Sequence, residues 1–285
     1  MLERRKVRRR ETGSVKDTLP GSLHPVIRRI LLARGISDEQ SLDLKLGRLQ
    51  PPTALSGIGE AAEILADAVV AGQRILIVGD FDADGATGTA LAVRALHLMA
   101  ATSVDFRVPN RFEFGYGLTV GLVETLASQP PDVLVTVDSG ISSNAGVKRA
   151  RELGCKVIVT DHHLPGECLP EADAIVNPNC SGDRFPSKNL AGVGVVFYLM
   201  SVLRSALRER NWFTLPREEP NLARLLDLVA LGTVADLVAL DENNRILVRQ
   251  GMDRIRHGLC SPGLLALLRL GKRDYRHLAA SDLAF

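Results

Sequence analysis

Aromatic residues are scarce: one Trp, three Tyr and eight Phe make up 4% of the 285 residues. The few places where they gather therefore carry weight. Cysteine is scarcer still, with Cys155, Cys168, Cys180 and Cys260 scattered and no C-x-x-C pair among them. That spacing argues against a zinc or disulfide framework, so reduced thiols are expected. No apolar run approaches the length of a membrane span, and the basic opening has no apolar core behind it. Neither a signal peptide nor an anchor is expected, and a cytoplasmic protein without membrane contact is the default. Net charge is close to absent as well, since 35 basic and 33 acidic residues leave +2. Within that balance Arg4, Arg5, Lys6, Arg8, Arg9 and Arg10 form a concentrated arm, which a solvated tail explains at least as well as a nucleic-acid-binding segment. A hydrophobic content of 46% over this length is enough to bury a sizeable core.

What is present is concentrated in Arg74–Ala90, RILIVGDFDADGATGTA. Ile75 to Val78 form a short unbroken apolar run rich in β-branched residues, the pattern of a central parallel strand covered on both faces. Asp80, Asp82 and Asp84 follow at once, and Gly85 and Gly88 are read as a tight turn into a helix with apolar positions at Leu91, Ala92, Ala95, Leu96 and Met99. The acids therefore belong at the carboxyl end of a strand, where open α/β sheets bind ligands. Three carboxylates within five residues repel one another, and a cation resolves the repulsion. An EF-hand loop starting at Asp80 would need a bidentate Glu where Leu91 stands, and a Walker loop would need Gly-Lys-Ser/Thr. A dehalogenase-type nucleophile, two aspartates one residue apart after an apolar strand, remains as a competitor.

Strand-like runs recur at 104–108, 133–137, 157–160 and 174–176, with helical patterns at 59–70, 119–127 and 144–153 between or before them. This alternation predicts an α/β protein with a doubly wound, mainly five-stranded parallel sheet flanked by helices. The third strand delivers Asp138, and the fourth delivers Asp161, His162 and His163 together. Parallel strands bring these ends to one edge, so Asp82, Asp84, Asp138 and His162 are expected within coordination distance. Long helices are expected over 189–210 and 221–240. In the second, LLDLVALGTVADLV, Asp236 is an acid emerging from an apolar surface, which helix-end solvation explains as readily as a site. After Asp241 an amphipathic helix carries Arg245, Arg249, Arg254 and Arg256, either as surface charge or as a strip facing phosphates. The expected domains are residues 1–52 as basic arm, small helical cap (helices near 26–32 and 36–46) and Pro51-Pro52 linker, 53–240 as catalytic domain and 241–285 as a helical extension.

GDFDADGATGTA, VTVDSGISS, VTDHHLPG and LDLVALGTVADLV, in this order, resemble the DHH phosphoesterase superfamily, named after the Asp161-His162-His163 triplet. VPNRFEFGYGL, IVNPN, FPSKNLAGVGVVFYLM, LDENNRILVRQGMDRIRHG and LAASDLAF narrow the resemblance to RecJ-type single-stranded-DNA exonucleases. The resemblance runs nearly the whole length. It implies two divalent ions, Mn²⁺ or Mg²⁺, with Asp82 and Asp138 on one and Asp84, Asp138, His162 and Asp236 on the other; mixed carboxylate and imidazole donors suit such ions. Asp80 departs from relatives that place a histidine slightly earlier, so it is either a direct ligand or an acid behind the ligands. His163 takes the position that contacts the scissile phosphate, and Asp138, Asp161 and Asp80 complete the expected catalytic set. Asn110, Arg111 and Tyr116 resemble a segment lining the DNA path, with Arg111 as a phosphate clamp and Tyr116 as a stacking ring; Arg245 is the fourth expected substrate contact.

The activity so implied is metal-dependent hydrolysis of single-stranded DNA from its 5′ end to 5′-mononucleotides, in DNA repair and recombination, by a monomer with single-stranded-DNA-binding protein and a helicase as partners. Members of that group continue well beyond position 285 with a second phosphoesterase-associated domain and an oligonucleotide-binding fold, so a fragment of a longer protein is expected. The alternatives are a DHH phosphodiesterase for short oligonucleotides or cyclic dinucleotides, and a catalytically weak DHH scaffold. The dehalogenase reading gives no reason for Asp161-His162-His163.

Overall fold

The computed structural model describes residues 16–284 and divides the chain into two compact units, 1–48 and 49–285. The expected basic arm at Arg4–Arg10 lies outside the described residues. In the first unit, helix α1 (Pro25–Leu32) starts on a side-chain cap from His24 and has Pro25 in its first turn, where a missing N–H costs nothing. The helix expected near 36–46 is instead two single 3₁₀ turns, Gln40–Leu42 and Leu46–Arg48. A run this short cannot repay helix nucleation, and Asp38 turns the chain by accepting both the backbone N–H and the hydroxyl of Ser41.

In the second unit the chain runs α2 (Ile58–Ala71), β1 (Ile75–Gly79), α3 (Ala83–Leu98), β2 (Val104–Arg107), α4 (Arg111–Phe114), α5 (Val120–Glu124), β3 (Val133–Val137), α6 (Asn144–Glu152), β4 (Lys156–Thr160) and β5 (Ala174–Val176). Four more helices follow: α7 (Gly192–Glu209), α8 (Leu226–Ala235), α9 (Glu242–Arg256) and α10 (Pro262–Leu270). The five strands are all parallel, in the order β2-β1-β3-β4-β5. Side chains of one parity, Leu76, Val78, Leu134, Val157 and Val159, join Leu118, Leu122, Leu126 and Val147 of the α5 and α6 layer in one core. The opposite parity, with Ile75, Ile77, Val133, Val135 and Val137 all buried, faces the layer of α3 and α7. Covering on both faces is why the central strands β1 and β3 are continuous buried runs rather than alternating ones, while the edge strand β2, VDFR, is largely exposed.

Two expected helices differ in their bounds. Helix α3 begins at Ala83, with the Asp82 carboxylate capping it by accepting the Gly85 N–H at 2.9 Å, so Gly85 and Gly88 lie inside the helix and form no turn before it. What Gly85 supplies is room: a Cβ there would stand 2.5 Å from the Asp80 carbonyl oxygen. The helix expected over 221–240 is a 3₁₀ turn (Leu222–Leu225) followed by α8, which stops so that Asp236 is its C-cap. Helix α10, which the sequence reading did not include, packs with α8 and α9 around Ala230, Val234, Val248, Met252, Ile255, Leu264 and Leu268. Through that shared core α9 and α10 pack with the rest of the second unit.

Candidate metal centre

In the order 2-1-3-4-5 the chain leaves β1 for β2 on one side and continues at β3 on the other, so a crevice opens at the carboxyl ends of β1 and β3. Asp80, Asp82 and Asp84 follow β1, Asp138 follows β3, and Asp161, His162 and His163 follow β4. The C-cap Asp236 of α8 completes the cluster.

Three ligand groups result: Asp80, Asp82 and Asp138; Asp84, His162 and Asp236; and Asp138, His162 and His163. In each, one ligand atom per residue lies within 4.8 Å of the others. His162 belongs to two of the three, with its Nε2 3.1 Å from Asp138 Oδ1, 3.6 Å from Asp236 Oδ2 and 3.8 Å from Asp84 Oδ2. Asp138 Oδ1 and His162 Nε2 are both buried without a hydrogen-bond partner. Buried polar atoms are ordinarily paired, and these two, aimed with carboxylates at one point, fit a divalent cation that takes hard oxygen and imidazole donors. Asp138 also holds φ at +58°, a left-handed conformation uncommon outside glycine and tolerated best by Asn and Asp. Backbone strain of this kind concentrates at functional sites. Helix α7 approaches so closely that a Cβ on Gly192 would stand 2.8 Å from the Asp138 side chain, which accounts for the glycine that opens α7.

The Asp84 carboxylate is gripped at both oxygens by the first turn of α7, accepting Gly192 N–H at 2.6 Å and Val193 N–H at 2.8 Å. Burial first, and the neighbouring charge of Asp138 second, hold its carboxyl above the usual carboxylate range. Burial and then Asp82 do the same to Asp138, and burial raises Asp236. All three shifts record negative charge confined in a dry place, the condition that a cation relieves.

His163 differs from His162 in surroundings and in chemistry. Its ring is half exposed, and Nδ1 lies 2.7 Å from Asp161 Oδ1; that hydrogen bond, against the opposing effect of burial, lifts its pKa to about 9. Asp161 itself is buried, and burial would raise its carboxyl. The hydrogen bond from His163, with N–H groups of His163 and Ile141, outweighs this and holds it below the usual range. Asp161 also accepts the His162 N–H at 2.7 Å. Enclosed in this way it can orient His163 but cannot reach a substrate. Asn177 and Asn179 fix the same loop by donating to the His163 and His162 carbonyls at 2.9 and 2.6 Å. Neither asparagine is among the expected site residues, and the signal for both is the IVNPN segment at the end of β5.

At the rim, Arg111 donates to Asp80 Oδ2 at 2.8 Å, while Asp80 Oδ1 accepts the Phe81 N–H. The Arg111 guanidinium lies 3.9 Å from the centre of the Phe81 ring and 4.9 Å from that of Tyr116. Tyr116 stands edge-on to His163, with ring centres 6.2 Å apart. Asn110 uses its Oδ1 to cap α4 through the Phe112 N–H. Arg245 is half-buried on α9 and belongs to none of the ligand groups. The strip imagined along α9 has structural partners: Arg249 pairs with Asp253, Arg254 donates to the Leu259 carbonyl and Arg256 to that of Leu278.

The sequence pattern of the DHH family, N-terminal domain, matches residues 74–233. The chain is 54% identical over 286 aligned residues to the single-stranded-DNA-specific exonuclease RecJ of Escherichia coli (strain K12), covering 100% of this chain and 49% of that protein. It is 36% identical to the RecJ of Bacillus subtilis (strain 168), covering 94% of this chain and 33% of that one. It thus spans about half the length, or less, of the curated relatives it matches. Among solved structures, exonuclease RecJ bound to manganese superposes with a TM-score of 0.69 at 36% identity, over 81% of this chain and 55% of that one. RecJ in complex with Mn²⁺ from Thermus thermophilus does so with a TM-score of 0.73 at 34% identity, over 90% and 34%. Since the family pattern covers more than half of the chain and includes every acid and histidine of the cluster except Asp236, three residues past its end, the chain belongs to the DHH family.

Proposed function

We propose that the chain is the catalytic part of a metal-dependent nuclease that hydrolyses single-stranded DNA from its 5′ end to 5′-mononucleotides. The observation that carries this reading is the pair of unpartnered buried atoms, Asp138 Oδ1 and His162 Nε2, from two residues that each belong to two of the three ligand groups. Asp82 and Asp138, with Asp80 close by, would hold one Mn²⁺ or Mg²⁺; Asp84, Asp138, His162 and Asp236 would hold the other. Two such ions, when bound, supply Lewis-acid stabilisation for the attacking and leaving oxygens of an in-line phosphoryl displacement.

The chain's own residues do the rest. His163, whose Nδ1 is taken by Asp161, has Nε2 free to donate to a nonbridging phosphate oxygen as negative charge accumulates there. Asp161 fixes the ring's direction and favours its protonated form. Tyr116 and Arg111 offer a ring face and a planar cation to an unpaired nucleotide, a contact that tolerates every base. The likeness to single-stranded-DNA-specific exonucleases supports single-stranded DNA as substrate. The proposal extends to a part in DNA repair and recombination, partners such as a single-stranded-DNA-binding protein and a helicase, action as a monomer, and a cytoplasmic place. Among the described residues no helix is long and apolar enough to cross a membrane.

Digestion of 5′-labelled and 3′-labelled single strands in Mn²⁺, with a duplex control, tests the reading. Early release of a labelled mononucleotide from the 5′-labelled strand alone is expected. Release from the 3′ end, or equal cutting of the duplex, overturns it.

A further inference from the structure

Asp80 differs from the other acids of the cluster in having an arginine partner. Its Oδ1 accepts the Phe81 N–H at 2.8 Å and its Oδ2 the Arg111 guanidinium at 2.8 Å, whereas the oxygens of Asp84 are held only by neutral backbone N–H groups and Asp138 Oδ1 has no hydrogen-bond partner. Asp80 is only 4% exposed, so its charge needs a counter-charge, and Arg111 supplies it. Held in that way, the Arg111 guanidinium faces the rings of Phe81 and Tyr116, which are each about half exposed. Phe81 is a large ring turned to solvent between two acids, where packing gives no reason for it. In a chain so poor in aromatics, two exposed rings and a stacked arginine beside one metal-ligand cluster form a surface suited to bases.

We propose that Asp80 is a positioning residue acting through Arg111, not an ion ligand, and that Phe81 is a substrate-gripping residue completing a Phe81–Arg111–Tyr116 platform for an unpaired nucleotide. The inference rests on the reading of a single-stranded nucleic acid as substrate. Phe81 follows Asp80 in the chain, and the Asp80 carboxylate accepts the Phe81 N–H. One carboxylate thus sets both the ring and the cation stacked on it. Asp82, the next residue but one, leaves the same turn towards Asp138. The nucleotide grip and the ion cluster are therefore built on one three-residue segment.

Two measurements on the 285-residue chain test the two halves. For the platform, Phe81→Ala should weaken binding of a fluorescent single-stranded oligonucleotide in EDTA by about tenfold, alike for all sequences, the scale of one lost base stack. KM should rise by a similar factor with kcat little changed, and Phe81→Tyr should restore both. Parent-like binding by Phe81→Ala, or a fall in kcat alone, overturns the platform. For Asp80, the readout is the Mn²⁺ concentration that half-saturates the rise in melting temperature. Asp80→Asn leaves the Arg111 charge unbalanced and should raise that midpoint severalfold, while adding Arg111→Met removes the excess charge and should return it to the parent value. A double variant whose midpoint stays raised makes Asp80 a ligand and overturns the positioning role. If Asp80→Asn does not fold, Arg111→Met alone decides: a positioning pair predicts weaker oligonucleotide binding with no loss of Mn²⁺ affinity, and parent-like binding overturns it. A parent chain that neither binds nor cuts single strands breaks the nuclease reading instead, and the Mn²⁺ titration still decides the role of Asp80.

Discussion

The centre and the rim of the crevice are built from neighbouring residues on opposite physical principles. In the centre, Asp84 and Asp138 are buried, with His162 partly buried beside them, held by the first turn of α7 and by the sheet, and the carboxylate charges repel. At the rim, Phe81, Arg111 and Tyr116 are substantially exposed and held by one ion pair and by ring contacts. The centre is enclosed and electrostatically uncomfortable until neutralised; the rim is open to solvent and its charges are paired without a ligand. Damage to the centre should therefore register in ion binding and turnover. Damage to the rim should register in substrate affinity.

The sharpest break is Asp138→Asn, since Asn keeps the shape and tolerates positive φ. Activity should be lost. In EDTA this variant should melt above the parent, because a buried repulsion is gone. In Mn²⁺ the order should invert, because the parent gains about 2.7 kcal/mol per site at an ion concentration a hundred times its Kd and the variant does not. Differential scanning fluorimetry in the two buffers reads this directly, and an unchanged order with Mn²⁺ removes Asp138 from the ligand set.

Next in size is His163→Ala, which belongs to the centre by position and to the substrate by chemistry. Turnover should fall by about a hundredfold or more, the scale of a lost donor to developing charge. The Mn²⁺-dependent rise in melting temperature should remain. Loss of an ion in anomalous scattering from this variant would make His163 a ligand.

The pH dependence separates the two regions without mutation. Asp84, Asp138 and Asp236 have folded pKa values above the ordinary 3.8, so at intermediate pH the folded state without ions binds more protons than the unfolded one. Their contribution to stability is complete below 3.8 and is lost as pH rises through the raised values. His163 works in the same direction at higher pH, between 6.5 and about 9. In EDTA the melting temperature should drift down as pH rises from about 4 to about 9, after allowance for the variant Asp138→Asn as reference. In saturating Mn²⁺ the drift from the carboxylates should vanish, because ions compete with protons for the same oxygens. A parent whose dependence in EDTA equals that of Asp138→Asn would show that the buried acids are not repelling.

The smallest effects belong to the rim. Tyr116→Ala should weaken single strands of every sequence by about tenfold, the loss of one stacked base. Arg111→Ala should lower the slope of log affinity against log salt by about one, the signature of a single phosphate contact. A sequence-dependent loss in the first case, or an unchanged slope in the second, would move the DNA path away from this rim.

Local chemistry determined much of this from the sequence alone. Unbroken β-branched runs forced buried parallel strands, alternation with helices forced a doubly wound sheet, and strands of one direction had to deliver Asp82, Asp84, Asp138 and His162 to one edge. The resemblance carried by the acid and histidine motifs added Asp236, which lies far along the chain and whose own signal, an acid on an apolar helix, is explained as readily by solvation as by a site. Tertiary structure decided what depends on distance between segments remote in sequence. The letters do not tell Asp80 from Asp82, because both are acids after the same strand; only the placing of α4 gives Asp80 an arginine and leaves Asp82 to cap α3. Asp161 and His163 are likewise adjacent to a ligand in sequence, yet the closing of Ile141 over the β4 end buries one and leaves the other half exposed. Residues 241–285 read as an extension because their charged surface is visible in the sequence while the apolar face they share with α8 is not. Periodicity reports which face of an element is buried, and only packing reports against what.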